Sequence, residues 1–258
     1  MRGRGRPAWS RGRAGGKIRY GVLEGTHILE YAGTPYGTFK KARKKYLLSQ
    51  AVLLAPVVPS KIVAVGLNYR DHADEMNVQV PTEPPIFLKP VSALCGPDDP
   101  IVFPPQSRRV DYEGELAVVM KKRCHLVTAE RAREFVLGYT CLNDVTARDL
   151  HTRDGHPTRA KGFDSFCPVG PCIATDIDPN GVDLETYVNG ERRQASNTKY
   201  LICPVEDLVA RISAVMTLLP GDIIATGTPG GTGPLRPGDK VEVRIESIGS
   251  LKNPVIKI

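Results

Sequence analysis

Asp111-Tyr112-Glu113-Gly114-Glu115 runs directly into an unbroken apolar stretch, Leu116 to Met120. From Glu115 onward this reads as a buried strand, because a run of apolar residues has no polar face to offer water. Side chains alternate across a strand, so Glu113 and Glu115 point to the same side. Two unit negative charges ~4 Å apart repel by roughly 4 kcal/mol at an effective dielectric of 20. Either a bound cation relieves that repulsion, or the strand end lies in water, where carboxylates ordinarily sit. A second position bears on the choice. Gly138 to Asn143 is another apolar segment that leads into an acid, Asp144. Hard cations such as Mg2+ and Mn2+ take a few carboxylate oxygens and keep some waters. Glu113, Glu115 and Asp144 make such a set if the fold brings them together.

Other residues read both ways on their own. His72 and Glu75 stand three apart in a segment, Tyr69 to Met76, that forms a short helix, so they share a helical face. They make an acid/base dyad, since histidine titrates near neutrality and a carboxylate can orient it, or they are two polar residues on a surface helix. Residues 150 to 160 are polar, with Gly155 and Pro157, and read as a loop able to cover a site. Lys161, which follows, is a surface lysine or a contact to carboxylates. Thr226 to Gly233 is glycine-rich after a strand but lacks the G-x-x-x-x-G-K-[ST] pattern of a P-loop. Its backbone N–H groups and the Thr228 hydroxyl are suited to holding a carboxylate instead.

Seven segments together resemble the fumarylacetoacetate hydrolase family: Gly66 to Glu75, Phe87 to Pro90, Asp111 to Glu115, Asn143 to Asp149, Arg159 to Asp164, Cys167 to Pro171 and Thr226 to Pro229. They fall in the family's order and span about residues 60 to 258. The resemblance implies a β-rich α+β fold, with a mixed β-roll or sandwich catalytic domain over 59–258 and a small N-terminal β piece over 17–58. It implies a homodimer and a divalent cation, Mg2+ or Mn2+ with Ca2+ as a third option, on Glu113, Glu115 and Asp144. His72 and Glu75 match the family's lid dyad, which moves a proton or activates a water. Lys161, Lys89 and Thr228 are implied to hold substrate oxygens, and Arg70 to meet a second carboxylate. The implied substrates are 2-oxo acids or dicarboxylates turned over through a metal-stabilised enolate. Relatives of this kind include isomerases of 2-hydroxyhepta-2,4-diene-1,7-dioate in aromatic compound catabolism, acylpyruvate hydrolases, and oxaloacetate decarboxylases or tautomerases. The first two groups are the preferred expectation, oxaloacetate chemistry is the alternative, and a non-catalytic binding protein on the same fold is the reading from another class. Many relatives carry Gln where this chain has His151 and Gln-Trp where it has His156-Pro157, which puts substrate identity in question there.

The net charge of +7 suggests a nucleic-acid partner until it is located. Residues 1–19 hold seven of the 35 basic residues and no acid, leaving 28 basic against 28 acidic residues elsewhere. Gly-Arg repeats with Pro7 predict a disordered basic leader over residues 1–16. It is either dispensable or an arm for RNA or anionic surfaces, and nucleic acid is not the expected partner. From residue 20 onward the chain is formally neutral. Lys40 to Lys45 reads as a solvated basic face. The six cysteines form no C-x-x-C and no zinc spacing with histidine, so they read as reduced thiols. No apolar run approaches the ~20 residues needed to span a bilayer, and no secretory apolar core follows the arginines. A cytoplasmic location is expected. Helices are predicted over Thr128 to Val136 and, from the stripe Val205, Leu208, Val209, Ile212 and Val215, over the residues that follow Pro204.

Overall fold

Gly114–Met120 is a strand in which every residue is buried. Its alternation divides two apolar cores: Leu116, Val118 and Met120 pack into one cluster, Ala117 and Val119 into another on the opposite face. A strand covered on both sides reads as a continuous apolar run. In the computed structural model, which describes residues 8–257, this strand lies inside a 12-stranded mixed sheet. From one edge the order is Phe39–Leu47, His27–Gly33, Lys17–Glu24, Ala8–Ala14, Cys167–Ala174, Val136–Asn143, Gly114–Met120, Ile223–Ala225, Ile62–Val65 and Ile86–Lys89. Two short strands, Val52–Leu54 and Leu94–Cys95, pair off this path.

A five-stranded sheet (Glu191–Asn197, Asp183–Val188, Lys240–Ile245, Gly249–Lys257, Ile101–Phe103) supplies Leu184, Val243, Ile245 and Leu251 to the first core. The helix Val205–Val215 adds Leu208, Val209 and Ile212 to the same core, as its apolar stripe predicts. A three-stranded ribbon, Thr146–Ala147, Val110–Tyr112 and Gly233–Leu235, closes the end of the molecule where the acidic segments lie. The fold is the β-rich α+β sandwich expected, with a small N-terminal β piece.

Three local expectations need correction. Residues 8–14, placed in the disordered leader 1–16, form the strand Ala8–Ala14, and residues 1–7 lie outside the described residues. Composition misled here because the strand gains tertiary partners. Trp9 packs edge-on against Tyr31 and Phe39, and Ala8 and Trp9 pair with Ala174 and Ile173 of the strand Cys167–Ala174. Gly12 lets the neighbouring chain approach: a Cβ there would stand 3.1 Å from the Val52 carbonyl oxygen. The N-terminal piece is thereby hydrogen-bonded into the same sheet as the acidic strand. Residues 150–160, predicted as a loop, are two short helices, Arg148–Asp154 and Pro157–Ala160. The residues that suggested a loop punctuate the pair, with Gly155 ending the first at φ 70° and Pro157 opening the second. Ala129–Phe135 is a 3-10 helix rather than an α-helix, and the Thr128 side chain caps none of its backbone N–H groups. No helix among the described residues is long and apolar enough to cross a membrane.

Candidate metal centre

Glu113 sits where the chain leaves the three-stranded ribbon, after Val110–Tyr112, and enters the large sheet at Gly114. Asp144 follows the end of the neighbouring strand, Val136–Asn143. The two strand ends are stitched together by backbone and amide. Asp144 N donates to Glu113 O at 2.8 Å, Glu113 N donates to Asn143 Oδ1 at 2.9 Å, and Gly114 pairs with Asn143. Only glycine fits between the two glutamates, since a Cβ at Gly114 would fall 2.1 Å from Thr186 Oγ1. Glu115 lies one residue further and is 1% exposed. Carboxylate oxygens of Glu113, Glu115 and Asp144 all lie within 4.8 Å of one another. The same-side placement of Glu113 and Glu115 and the approach of Asp144 are thus both observed.

Cations crowd this cluster. Lys161 Nζ donates to Glu113 Oε2 at 2.7 Å and to Asp144 Oδ2 at 2.6 Å. Lys89 Nζ donates to Asp144 Oδ1 from a fully buried position. Arg148 donates to Glu113 Oε1 and, at 2.9 Å, to Asp111 Oδ2. Burial alone would raise the Glu113 carboxyl, but the Lys161 and Arg148 charges outweigh it and hold the group down to about 2. Burial likewise opposes the charge on Lys161, yet Asp144 and Glu113 raise its titration above the usual lysine value. Glu115 fares differently. Burial, then the charges of Asp144 and Glu113, push its carboxyl well above the ordinary range, against Lys161 and a single N–H from Gly227 at 2.8 Å. Lys161, Lys89 and Arg148 thus contact Glu113 and Asp144, whereas the Glu115 carboxylate accepts its hydrogen bond from Gly227 N. Three buried hard oxygen donors gathered at one point suit a divalent cation such as Mg2+ or Mn2+.

The cluster opens on a cavity of about 450 Å³. Glu113, Glu115, Asp144, Arg148, Lys161 and His151 line its polar side. His72 and Thr228 also reach it. His72 Nδ1 stands 3.2 Å from Glu75 Oε2 on the helix Arg70–Glu75, so the expected dyad is in contact. Glu75 is exposed and accepts a hydrogen bond from Gly231 N at 3.1 Å. The Thr228 hydroxyl already donates to Gly114 O and accepts from Gln194 Nε2, both at 2.9 Å. The glycine-rich loop does hold carboxylates, but they are the protein's own: Gly227 holds Glu115 and Gly231 holds Glu75. Two expected substrate contacts are not brought to the cavity. Arg70 is exposed and Lys89 is spent on Asp144 and the Val145 carbonyl, and neither lines it. Arg148 and Asp111 were missed as site residues. Arg148 opens a helix where a loop was predicted, so nothing in the sequence aimed its guanidinium at Glu113. His151, on the same helix, is kept below the usual histidine range by burial and by the Lys161 and Arg148 charges.

Together the sandwich and the site define a class: a β-sandwich protein with a buried carboxylate cluster, fit for a divalent cation, in the wall of a cavity. Residues 61–256 match the Fumarylacetoacetate (FAA) hydrolase C-terminal family, and residues 9–56 match the Rv2993c-like, N-terminal family. The chain belongs to the fumarylacetoacetate hydrolase family. Among solved structures it is similar to a 2-hydroxyhepta-2,4-diene-1,7-dioate isomerase from Mycobacterium marinum, at 44% identity and TM-score 0.91 over 97% of this chain and 98% of that one. It also resembles a maleylpyruvate hydrolase from Sphingobium sp. SYK-6 in complex with manganese(II) and pyruvate, at 33% identity and TM-score 0.81 over 97% and 99% of the two chains. The mitochondrial oxaloacetate tautomerase Fahd2a of Rattus norvegicus is 44% identical over 220 residues, 81% of this chain and 70% of that protein. These neighbours are enzymes of three reaction types.

Proposed function

We propose that this chain is a divalent-metal-dependent enzyme that acts on 2-oxo acids through an enolate. On this reading it isomerises 2-hydroxyhepta-2,4-diene-1,7-dioate-type substrates or hydrolyses the C–C bond of acylpyruvates. One observation carries it: the carboxylate oxygens of Glu113, Glu115 and Asp144 gather within 4.8 Å, buried, in the wall of a cavity of about 450 Å³. A divalent cation bound there supplies a Lewis acid that polarises a 2-oxo acid and stabilises the negative charge of its enolate. The protein's own groups do the rest. Arg148 and Lys161 orient Glu113, and Lys161 and Lys89 orient Asp144. His72, backed by Glu75, takes or returns a proton at the cavity wall, the work expected of a histidine–carboxylate pair. Lys161, which lines the cavity as Arg148 does, is the cation we assign to a substrate oxygen; Thr228 contributes through the backbone of Gly114, and Arg70 has no part unless its segment moves. The manganese and pyruvate named for the Sphingobium enzyme support the cation and substrate class. A second reading, oxaloacetate decarboxylation or tautomerisation, is favoured by the rat relative. The reading includes a homodimer, which light scattering checks.

The test is an assay of acylpyruvates, a 2-hydroxy-dienedioate and oxaloacetate with Mg2+ or Mn2+, repeated after EDTA. Turnover that EDTA removes and metal restores is expected. No turnover of any 2-oxo acid at saturating metal favours a non-catalytic binding protein on this fold.

A further inference from the structure

The formal charge of +7 is not spread over the molecule. Residues 1–56 hold twelve of the 35 Lys and Arg and two of the 28 Asp and Glu, so residues 57–258 carry 23 basic against 26 acidic residues. In that larger part cations find acids: Arg133 pairs with Glu206, Arg192 with Glu185, Arg211 with Glu83 and Arg244 with Glu242. The N-terminal piece has too few acids for that. Glu30 is taken by Arg19 and Glu24 by Lys45. Lys40, Lys41, Arg43 and Lys44 are exposed and make no hydrogen bond or ion pair among the described residues. These four lie on one strand, Phe39–Leu47, which forms an edge of the 12-stranded sheet and, among the described residues, pairs only with His27–Gly33. Tyr31 opposes Lys41 and Leu29 opposes Lys45, so three residues of the edge strand face Glu30 alone. Such a bulge bends the edge and turns its side chains, which leaves a row of cations rather than a flat basic face. At ~3.3 Å per residue, Lys40 to Lys45 spans about 17 Å, and five of those six residues are basic. One strand of a nucleic-acid duplex carries a charge every ~3.4 Å of helix axis, so the two charge densities match. Phe39 opens the strand, 42% exposed, with its ring edge-on to Trp9 at 4.7 Å and tilted against Tyr31 at 5.7 Å. Lysines on an edge also keep it from pairing with another chain. An exposed aromatic ring at the same edge works against that role, and beside a row of cations it offers a base a face to stack on.

We propose that the strand Phe39–Leu47 is a binding edge for single-stranded nucleic acid, with Lys40, Lys41, Arg43 and Lys44 on successive phosphates and Phe39 against a base. The edge is separate from the carboxylate cavity, none of whose lining residues lies on this strand, and it stands or falls independently of the function proposed above. Charge and one ring carry no base code, so binding is tolerant of sequence. The expectation against a nucleic-acid partner considered residues 1–19 only; the fold sets a second basic run, Lys40 to Lys45, along a free sheet edge.

Fluorescence anisotropy of the full chain with labelled oligo(U) and oligo(dT), each about twelve nucleotides long, tests this. Both should bind with a Kd of about 1–100 µM at 0.1 M salt. A duplex of equal length, whose bases stack on one another, should bind more weakly. Four phosphate contacts predict a slope of about −3 for log K against log[salt], at ~0.7 per contact. Lys41→Gln combined with Arg43→Gln should halve that slope and weaken binding at least tenfold, while Mn2+ affinity and Tm stay unchanged. Phe39→Tyr should bind as the wild type does, and Phe39→Leu at least fivefold more weakly. No binding at 50 mM salt overturns the inference and leaves the strand a guarded edge. A duplex bound as tightly as the single strands overturns it too, as does a slope unchanged in the double variant. Binding that survives in the double variant but is lost on deleting residues 1–7 also overturns it. Tighter binding to vesicles of phosphatidylserine and phosphatidylcholine than to either oligonucleotide overturns it in favour of a membrane surface.

Discussion

Replacing Glu115 with glutamine should stabilise the metal-free protein and weaken the metal-loaded one. The carboxyl is 1% exposed and lies within 4.8 Å of the carboxylate oxygens of Glu113 and Asp144. Each repulsion at that separation amounts to roughly 3 kcal/mol at an effective dielectric of 20. Lys161 and the Gly227 N–H offset most of this, which leaves a net relief of about 1–3 kcal/mol on removing the charge. For a chain of this size that is a rise in Tm of about 2–10 °C. The sign with pH follows from the raised carboxyl. Its folded form titrates above the unfolded value, so the wild type loses nothing below the ordinary carboxylate range and loses stability as pH rises through the folded value. The glutamine variant cannot ionise and escapes that loss, so its advantage should be present at pH 8 and vanish near pH 4. Metal reverses the order, since a cation at one hundred times its Kd stabilises the wild type by about 2.7 kcal/mol and the variant lacks one of three ligands. Thermal unfolding at pH 4, 6 and 8 with EDTA or with Mn2+ reads all of this. A metal-free variant that melts below the wild type at pH 8, or an equal gain at every pH, would refute the reasoning.

Lys89→Met should destabilise the fold by about 3–5 kcal/mol, because it strips Asp144 of a buried partner; guanidinium unfolding with EDTA present measures it. His72→Ala should lower kcat about 10²–10⁴-fold, the usual size of a lost acid–base group, while Mn2+ titrations stay unchanged because His72 is outside the carboxylate cluster. Trp9→Ala should cost about 3–5 kcal/mol, since its ring joins Tyr31 and Phe39 at the seam with the strand Cys167–Ala174; limited proteolysis should then release the N-terminal strands first.

Periodicity and residue chemistry determined much of this protein. The run Leu116 to Met120 had to be a covered strand, alternation had to put Glu113 and Glu115 on one side, and the stripe Val205 to Val215 had to be a helix. These are local consequences of strand and helix geometry, which any chain with these residues obeys. The family's motif order supplied the approach of Asp144, which spacing alone left open. Tertiary structure decided the rest. The register of Gly114 against Asn143 brought Asp144 to the glutamates. Residues 8–14 look like a disordered tail by composition and became a strand because Ile173 and Ala174 offered a free edge to pair with. Arg148 and His151 face the cavity because Gly155 and Pro157 end one helix and begin the next instead of opening a loop. Lys89 and Arg70 carry the same charge in sequence, yet one is buried on Asp144 and the other is exposed. Sequence spacing specifies what lies within a few residues along one element; which side chains meet across elements depends on packing that only the folded chain establishes.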